Sequence, residues 1–234
     1  MISTACPKLK KVHSSKELKN GLCCTHININ GLYNKLDEIR LLLQESKFDL
    51  LAITETHLSE DIHKDTELCI DQYSFVSKDR TGKSNHWGGA LVYYINFIEI
   101  EEIDMNTDIE SIWINVILRS QKLLLGCIYR PPNDKKFLTS FKTTLDNICH
   151  RSNVVLIGDF NIDLSNNCDK TLTGDFKELL GSDNLVSQIK DCTRITDSTR
   201  TLINLVITCY PSKVLKGRTF STDISDHDLI YIST

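Results

Sequence analysis

The sequence lacks the features of a membrane or secreted protein. No apolar run approaches the roughly 20 residues that a membrane-spanning helix needs. The first residues, MISTACPKLKKVHSSKELKN, have no apolar core followed by a cleavage site, so they do not form a secretory signal. We therefore expect an intracellular protein without membrane contact, with a flexible lead-in over residues 1–20.

Cysteine pairs at metal-binding spacing are also missing. The nine cysteines include no C-x-x-C pair, which argues against zinc and thioredoxin-like sites. Their number is odd and several lie in apolar runs, so we expect reduced, mostly buried thiols. No linker rich in glycine, proline or serine divides the chain, and no short repeat occurs. With 41% hydrophobic and 25% charged residues, this favours one globular domain over residues 21–234.

The charge balance excludes a globally basic nucleic-acid-binding protein, because the net charge is −4. Charge is nevertheless uneven along the chain. Residues 99–110 carry six acidic and no basic side chains, whereas residues 190–218 carry six basic and two acidic ones. Solvated faces explain both segments most simply. The alternative for residues 190–218 is a rim that attracts an anionic substrate.

Apolar strands and amphipathic helices alternate along the chain. Strands are predicted in residues 21–30 and 48–54, joined by a helix over residues 35–46 with Leu36, Ile39, Leu42 and Leu43 on one face. Another buried strand, NVVLIGDFN (153–161), lies between predicted helices in residues 131–150 and 174–186. Further strands are predicted in YSFVSK, WGGALVYYI, SIWINVIL, KLLLGCIYR, TLINLVIT, KVLKGRTF and DLIYIS. The order predicts a single α/β domain with mixed sheets and helices outside.

Polar side chains follow several of these buried strands. Residues at i and i+2 of a strand share a face, and α/β sheets bind ligands at the carboxyl ends of strands. Convergence of these ends would gather carboxylates, amides, a phenol and an imidazole. The residues concerned are Asn28, Asn30, Glu55, Tyr129, Asp159, Asn161, Asp226 and His227.

Each of these residues also has an ordinary structural explanation. The two asparagines before Gly31, and the pair around Phe160, could form turns. Glu55 could be an exposed strand end, Tyr129 could pack in the core, and His227 could lie at the surface between its acidic neighbours. The conjunction of all of them favours a site over these separate explanations.

The gathered groups suit metal-assisted cleavage of phosphodiesters. A carboxylate is the hard oxygen ligand that Mg²⁺ prefers, and Mg²⁺ takes only one or two of them. An aspartate can align or deprotonate the attacking water, while amide, phenol and imidazole groups donate to phosphate oxygens as charge builds there. The roles are a metal ligand for Glu55, a base for Asp159, phosphate donors for Asn28, Asn161 and Tyr129, a donor or acid for His227, and metal assistance on the leaving-group side for Asp226.

Six blocks in order, THININGLYNKLDEIRLLL, LLAITETHLS, CIYRPP, VVLIGDFNIDL, TRIT..TRTLINLVIT and ISDHDLIY, resemble the endonuclease/exonuclease/phosphatase superfamily. They are most similar to the apurinic-type endonuclease domain of non-LTR retrotransposons, and they cover roughly residues 22–233. The resemblance implies a four-layer α/β sandwich in which helices flank two central sheets. It also implies an enzyme that nicks DNA with Mg²⁺, or with Mn²⁺ instead, at a nuclear site of action and without an obligate protein partner.

The same resemblance assigns the residues already singled out, and it places Asn30 at a metal-site position that varies among Asp and Asn. We expect the acidic segment at 99–110 to lie away from the surface that faces DNA. An alternative is a superfamily relative that hydrolyses phosphate esters of lipids or inositol. The retrotransposon-like sequences around ITETHL and ISDHDLIY argue against it.

One residue departs from the family pattern. The motif that resembles TLINLVIT carries Asp in the family where this chain has Asn204, and that Asp accepts a hydrogen bond from the catalytic histidine. Asn is nearly isosteric but neutral, and it can present an NH₂ group where an acceptor is needed. Weakened catalysis is therefore expected. The alternative is an inactive pseudo-nuclease that keeps the fold and binds metal or nucleic acid.

Overall fold

The computed structural model describes residues 21–46, 48–59, 63–80, 87–119, 121–148, 150, 153–165, 170–209, 211–214 and 216–233. The lead-in expected over residues 1–20 lies outside this part of the chain. The helices are α1 (Leu36–Ser46), α2 (Asp65–Leu68), α3 (Phe137–Ile148) and α4 (Lys170–Ser182). No helix in the described ranges has the length and apolar character needed to cross a membrane.

The strands up to the middle of the chain are β1 (Cys23–Asn28), β2 (Leu50–Thr54), β3 (Tyr73–Lys78), β4 (Ala90–Ile95), β5 (Glu99–Glu102), β6 (Glu110–Leu118) and β7 (Gln121–Tyr129). They are followed by β8 (Val154–Asp159), β9 (Val186–Ser187), β10 (Arg194–Ile195), β11 (Arg200–Thr201), β12 (Asn204–Thr208), β13 (Lys216–Phe220) and β14 (Leu229–Ser233). Sheet I has the order β13-β14-β1-β2-β4-β3 and sheet II the order β5-β6-β7-β8-β12-β9, while β10 and β11 form a separate ribbon.

Each sheet contains one parallel pair, and these pairs position the polar strand ends. In sheet I, β1 and β2 run parallel with Asn28 opposite Thr54, so Glu55 follows directly at the same end. In sheet II, Tyr129 of β7 lies opposite Asp159 of β8, which lies opposite Asn204 of β12. The register therefore places a phenol, a carboxylate and an amide side by side across three strands.

The two sheets pack face to face, with helices on their outer faces. Cys24 and Ala52 of sheet I share a buried cluster with Leu125 and Leu156 of sheet II. The alternate residues of β1 and β2 face outward and pack in a second cluster with α1, as the two-residue period of a strand requires. Helices α3 and α4 pack on the other side of sheet II through Phe137, Phe141, Phe160 and Phe176. The predicted fold class is confirmed.

The apolar face of α1 is the one predicted from the sequence. The four residues of this face, Leu36, Ile39, Leu42 and Leu43, are at most 6% exposed. Burying each such side chain stabilises the fold by about 1.5–3 kcal/mol. The helix is therefore held mainly by this packing.

Three local features differ from the sequence predictions. Helix α2 lies in a region for which the sequence analysis predicts neither a helix nor a strand, and the acidic segment contains the edge strand β5. The stretch TLINLVIT is divided, because side chains outside it take two of its backbone amides: Asp163 accepts from the amide of Leu202 and Thr193 from that of Ile203. Strand β12 consequently begins at Asn204, which lies at its end instead of its middle.

The cysteines within the described ranges are free thiols. Cys23, Cys24 and Cys127 are buried, Cys192 and Cys209 are partly buried, and Cys69 is exposed. Burial raises the pKa of the Cys127 thiol to about 12. This thiol is therefore protonated at neutral pH and behaves as a small apolar side chain.

Candidate active site

The side-chain amide of Asn28 joins the two sheets at the centre of the site. Its Nδ2 atom donates to Glu55 Oε1 over 2.8 Å and to Asp159 Oδ2 over 2.7 Å. Asn28 and Asp159 are fully buried, and they are 131 residues apart in the sequence. The structure thus brings together three of the residues predicted from separate strand ends.

Residues 28–30 and 159–161 form two similar turns at the ends of β1 and β8. In each turn the side-chain oxygen of the first residue accepts a hydrogen bond from the backbone amide of the third, over 3.2 Å at Asn28 and 2.9 Å at Asp159. Both third residues, Asn30 and Asn161, have a φ of 47°, a conformation that asparagine adopts more readily than most residues. At these positions the residues therefore form turns and also belong to the candidate site.

Asn30 and Asn161 use their side chains differently. Asn161 Nδ2 donates to the Arg130 carbonyl over 2.8 Å and to Asp159 Oδ2 over 3.3 Å. The alternation that would place Asn30 on the same face as Asn28 ends with the strand, and Asn30 is exposed. Asn30 thus contributes its backbone amide to the site through its bond to Asn28.

Asp159 is a buried carboxyl with a strongly shifted pKa. Burial raises its pKa from 3.8 to about 7, against the opposing effect of hydrogen bonds from Asn28 and the Asn161 amide. The negative charge of Glu55 raises this pKa further. A carboxyl whose pKa lies near neutrality can accept a proton efficiently at neutral pH, as a general base must.

Tyr129 lies beside the same carboxylates. Its side chain is 5% exposed and hydrogen-bonded to Glu55. Burial raises the pKa of Tyr129 above its usual range, and the charge of Glu55 adds to this effect. The phenol is therefore protonated at neutral pH and can donate a hydrogen bond, whereas the sequence had left core packing open as its role.

His227 and Asn204 form a further contact between the sheets. The distance between His227 Nδ1 and Asn204 Oδ1 is 3.2 Å, and Asn204 Nδ2 donates to the Asp228 carbonyl over 3.4 Å. Burial lowers the pKa of His227 to about 4, although the charge of Asp226 opposes this shift. The ring is therefore neutral at pH 7. Its surface location, left open by the sequence, is wrong, because it is 5% exposed.

Asp226 is paired with a basic residue that the sequence had not assigned to the site. Arg194 Nε lies 2.9 Å from Asp226 Oδ2. Burial would raise the pKa of Asp226, but the hydrogen bond from Arg194 and the neighbouring His227 lower it overall. Arg194 also pairs with His227 through an isolated β-bridge. It therefore holds the segment that carries both Asp226 and His227.

Glu55 is the carboxylate best suited to hold a cation. Among the described residues, no group of three or more His, Cys, Asp or Glu side chains could enclose a metal ion. Mg²⁺ needs only one or two carboxylates, because it keeps several waters. The Glu55 Oε2 atom lies 3.8 Å from His57 Nε2, a buried ring nitrogen with no hydrogen-bond partner in the described part of the chain. Glu55 and this nitrogen therefore fit a cation that keeps several water ligands, and they do not fit a site enclosed by protein ligands alone.

Sequence reasoning missed Arg194, Lys35 and His57. Lys35 Nζ donates to the Ile29 carbonyl over 2.6 Å, and burial lowers its pKa while Asp226 raises it. Arg194 belonged to a segment assigned only a general basic character. His57 follows Glu55 by two residues, and that spacing was the available signal.

The charged segments are placed only partly as expected. Strand β5 lies at the edge of sheet II, where its glutamates protect against pairing with another strand. Glu110 is the exception to the expected distance from the site, since it accepts a hydrogen bond from the Gly89 amide and its charge helps to raise the pKa of Tyr129. In the basic segment, Lys213 donates to Asn153 Oδ1 at the opposite end of sheet II. That segment therefore does not form one continuous rim.

Comparison with known proteins identifies the fold. No family model matches the sequence, and no curated protein does. The AP endonuclease LMAP from Leishmania major superposes with a TM-score of 0.72 at 15% identity, covering 90% of this chain and 86% of that one. For the endonuclease domain of TRAS1, a telomere-specific non-LTR retrotransposon, the TM-score is 0.69 at 13% identity, with coverage of 91% and 97%.

A third similar structure is the 3′-5′ exonuclease NExo from Neisseria meningitidis, with a TM-score of 0.71 at 13% identity and coverage of 91% and 99%. These proteins share the arrangement of the whole domain with this chain, because the superpositions span nine-tenths of it. The chain therefore has the same fold as these three nucleases, which is the fold that its resemblance to the endonuclease/exonuclease/phosphatase superfamily predicts.

Proposed function

We propose that the chain hydrolyses phosphodiester bonds in DNA as an endonuclease dependent on a divalent cation, Mg²⁺ or Mn²⁺. One observation carries the proposal: the Asn28 amide lies between the carboxylates of Glu55 and Asp159 at the meeting point of the two sheets. A buried carboxyl with a pKa near 7 beside a second, partly accessible carboxylate suits general-base chemistry next to a cation. The three similar structures are an AP endonuclease, a retrotransposon endonuclease domain and an exonuclease.

Each residue of the site has a definite task in this proposal. Asp159 orients the attacking water and accepts its proton, while the protonated phenol of Tyr129 donates to a phosphate oxygen. Asn28 fixes the two carboxylates relative to each other. A cation bound at Glu55 would stabilise negative charge on the phosphate. Asn161 keeps Asp159 in place through its two hydrogen bonds to that carboxylate.

A retrotransposon origin belongs to the same proposal. The motif sequences resemble those of endonuclease domains of non-LTR retrotransposons, and the endonuclease domain of one such element, TRAS1, has a similar fold. DNA in the nucleus is the corresponding substrate.

The neutral Asn204 supports a second candidate, an inactive relative that keeps the fold. With Asn204 Oδ1 accepting from Nδ1–H, the neutral His227 ring has a bare Nε2 that can accept a hydrogen bond but cannot donate one to phosphate. Donation requires the imidazolium, whose formation burial opposes. An aspartate at position 204 would supply negative charge and raise the pKa of His227.

Nicking of supercoiled plasmid in Mg²⁺ or Mn²⁺ tests both candidates. We expect the wild type to nick slowly, Asn204→Asp to nick about tenfold or more faster, and Asp159→Asn to lose about 10²–10⁴-fold, the usual contribution of a general base. The matched readout for Asn204→Asp is NMR titration of the His227 ring, whose pKa should rise. Absence of nicking by both the wild type and Asn204→Asp would contradict the enzyme and favour the inactive relative.

A further inference from the structure

The loop at residues 55–57 is held rigidly between two neighbouring segments. Four backbone hydrogen bonds fix it, from Gly31 to Glu55 (2.8 Å), Leu32 to Thr56 (2.9 Å), Thr56 to Gly89 (3.4 Å) and His57 to Gly88 (2.8 Å). A loop whose amides and carbonyls are bonded on both sides has little freedom to move. The positions of its side chains are therefore set before any ligand binds.

Two residues of this loop adopt an unfavourable backbone conformation. Glu55 has a φ of 54° and His57 a φ of 53°, values that residues other than glycine rarely adopt. Such strain persists only where the surroundings impose it, and it concentrates at functional sites. In this loop its effect is to place a carboxylate and an imidazole side by side, with 3.8 Å between Glu55 Oε2 and His57 Nε2.

Gly89 makes the close approach of the neighbouring segment feasible. Its φ is 84°, and a Cβ atom there would collide with Thr56 Oγ1. A larger residue would therefore force either the Thr56 side chain or the segment itself to shift. Gly89 thus helps to hold the loop that carries His57.

His57 has a ring nitrogen that forms no hydrogen bond with any residue that the structure describes. Its Nε2 atom is buried and has no hydrogen-bond partner, since 3.8 Å to Glu55 is too long for one. Buried polar atoms are almost always bonded, so such an exception points to a missing ligand. The ring packs at a tilt against Trp87 with 5.4 Å between centroids.

We propose that Glu55 Oε2 and His57 Nε2 bind one divalent cation together and give the site a preference for Mn²⁺ over Mg²⁺. This inference rests on the proposed function in taking Glu55 as the cation ligand. Metal–ligand distances of about 2.0–2.2 Å allow two ligands of one ion to stand up to about 4.4 Å apart, so a single cation can bridge this pair. Imidazole is a good ligand for transition metals, whereas Mg²⁺ favours oxygen alone.

Spectroscopy of bound Mn²⁺ tests the pair directly. Metal-free full-length chain is titrated with Mn²⁺, binding is followed by loss of the free-ion electron paramagnetic resonance signal, and electron spin-echo modulation detects coordinated ¹⁴N. His57→Asn is the best variant, because asparagine tolerates positive φ and lacks the ring nitrogen. His227→Asn is the matched control, since it removes the neighbouring imidazole and leaves the pair intact.

We expect ¹⁴N modulation in the wild type and in His227→Asn, and its loss in His57→Asn. Mn²⁺ affinity should fall about tenfold in His57→Asn, equivalent to about 1.4 kcal/mol, while Mg²⁺ affinity, measured by competition, changes far less. Thermal melting near that of the wild type shows that His57→Asn is folded; should it melt much lower, His57→Gln provides the same comparison. Modulation that persists in the folded variant, or an unchanged ratio of Mn²⁺ to Mg²⁺ affinity, would overturn the mixed site.

The outcome is separable from that of the nuclease proposal. Plasmid nicking without any nitrogen coupling to bound Mn²⁺ would overturn the mixed site and leave the nuclease standing. Nitrogen coupling that depends on His57, in a chain that cuts no DNA, would support the mixed site and contradict the nuclease.

Discussion

The turns at residues 28–30 and 159–161 share one backbone design and differ in their chemistry. Both end a buried strand, both bond the first side chain to the third amide, and both bury the middle residue, Ile29 or Phe160. One begins with an amide and the other with a carboxyl, and these two groups bond to each other across the sheets. Asn28 has an NH₂ group where Asp159 has a second oxygen, so only the turn at residues 159–161 carries a negative charge.

The pair works because its two members are unlike. An amide NH₂ can donate to a carboxylate, whereas two carboxylates in contact repel and raise the pKa of one of them. Asn28 also reaches Glu55, so it separates two acidic groups while bonding to both. The comparison therefore predicts that a substitution that makes the first residues of the two turns alike lowers the free energy of unfolding more than a substitution elsewhere in either turn.

Asn28→Asp makes the two turns alike and should have the largest effect. It removes both hydrogen bonds and places a third carboxyl beside Glu55 and Asp159, so we expect a loss of about 3–5 kcal/mol in the free energy of unfolding at pH 8. At pH 5 the loss should be smaller, because protonation relieves the repulsion. Urea unfolding at the two pH values measures this. Equal stability of variant and wild type at pH 8 would refute the role of the amide as separator.

The exchanged double variant Asn28→Asp with Asp159→Asn is the control. It restores one amide facing one carboxyl, so its stability should exceed the sum expected from the two single changes by about 0.5–3 kcal/mol. Nicking should stay lost, because the charge has moved to β1. Additive losses in the cycle would show that the two residues do not interact.

The second prediction concerns pH, since only one of the two turns titrates. The pKa of Asp159 is raised from 3.8 to about 7 by burial, so the folded state holds this proton more tightly than the unfolded state. Its contribution to stability is complete below pH 4 and is lost as pH rises to 7. The raised pKa corresponds to about 4 kcal/mol.

Urea unfolding of the metal-free protein in EDTA, between pH 4 and pH 8, measures this contribution. Asp159→Asn removes the titrating group, so the stability of this variant should decline less with pH than that of the wild type. Other groups titrate in both proteins and cancel in the difference. Parallel pH profiles would contradict the raised pKa.

The smallest expected effect compares the third residues of the two turns. Glycine suits a φ of 47°, so Asn30→Gly should change the free energy of unfolding by less than about 0.5 kcal/mol. Asn161→Gly also removes side-chain bonds to Arg130 and Asp159, which should cost about 1–2 kcal/mol. Thermal melting of both variants provides the measurement, and equal losses would show that the two turns are used alike.

Where the signal is local, the sequence predicts which residues lie together at this candidate site. Asp159 follows a five-residue apolar run. A polar residue at that position predicts a buried strand whose carboxyl end can lie at a ligand-binding edge of the sheet. The layered fold follows from the same alternation of apolar strands and helices. Local pattern does not specify contacts between distant segments. Arg194 reaches Asp226 across 32 residues, and no periodicity encodes that pairing.

The start of β12 illustrates another limit of sequence reasoning. The apolar pattern of TLINLVIT favours one continuous strand, but Thr193 and Asp163 take the amides that would have extended it. Asn204 became the first residue of the strand because of side chains outside the stretch. Competition of this kind depends on tertiary proximity, which the pattern of the segment itself does not contain.

Three hydrogen bonds of the site join sheet I to sheet II: Asn28 to Asp159, Tyr129 to Glu55, and His227 to Asn204. A shift of one sheet along the other by a single residue is about 3.3 Å, enough to break all three. A folding intermediate with both sheets formed but wrongly docked would therefore contain every strand and lack the assembled candidate site. The site therefore forms only when the two sheets have docked in the correct alignment.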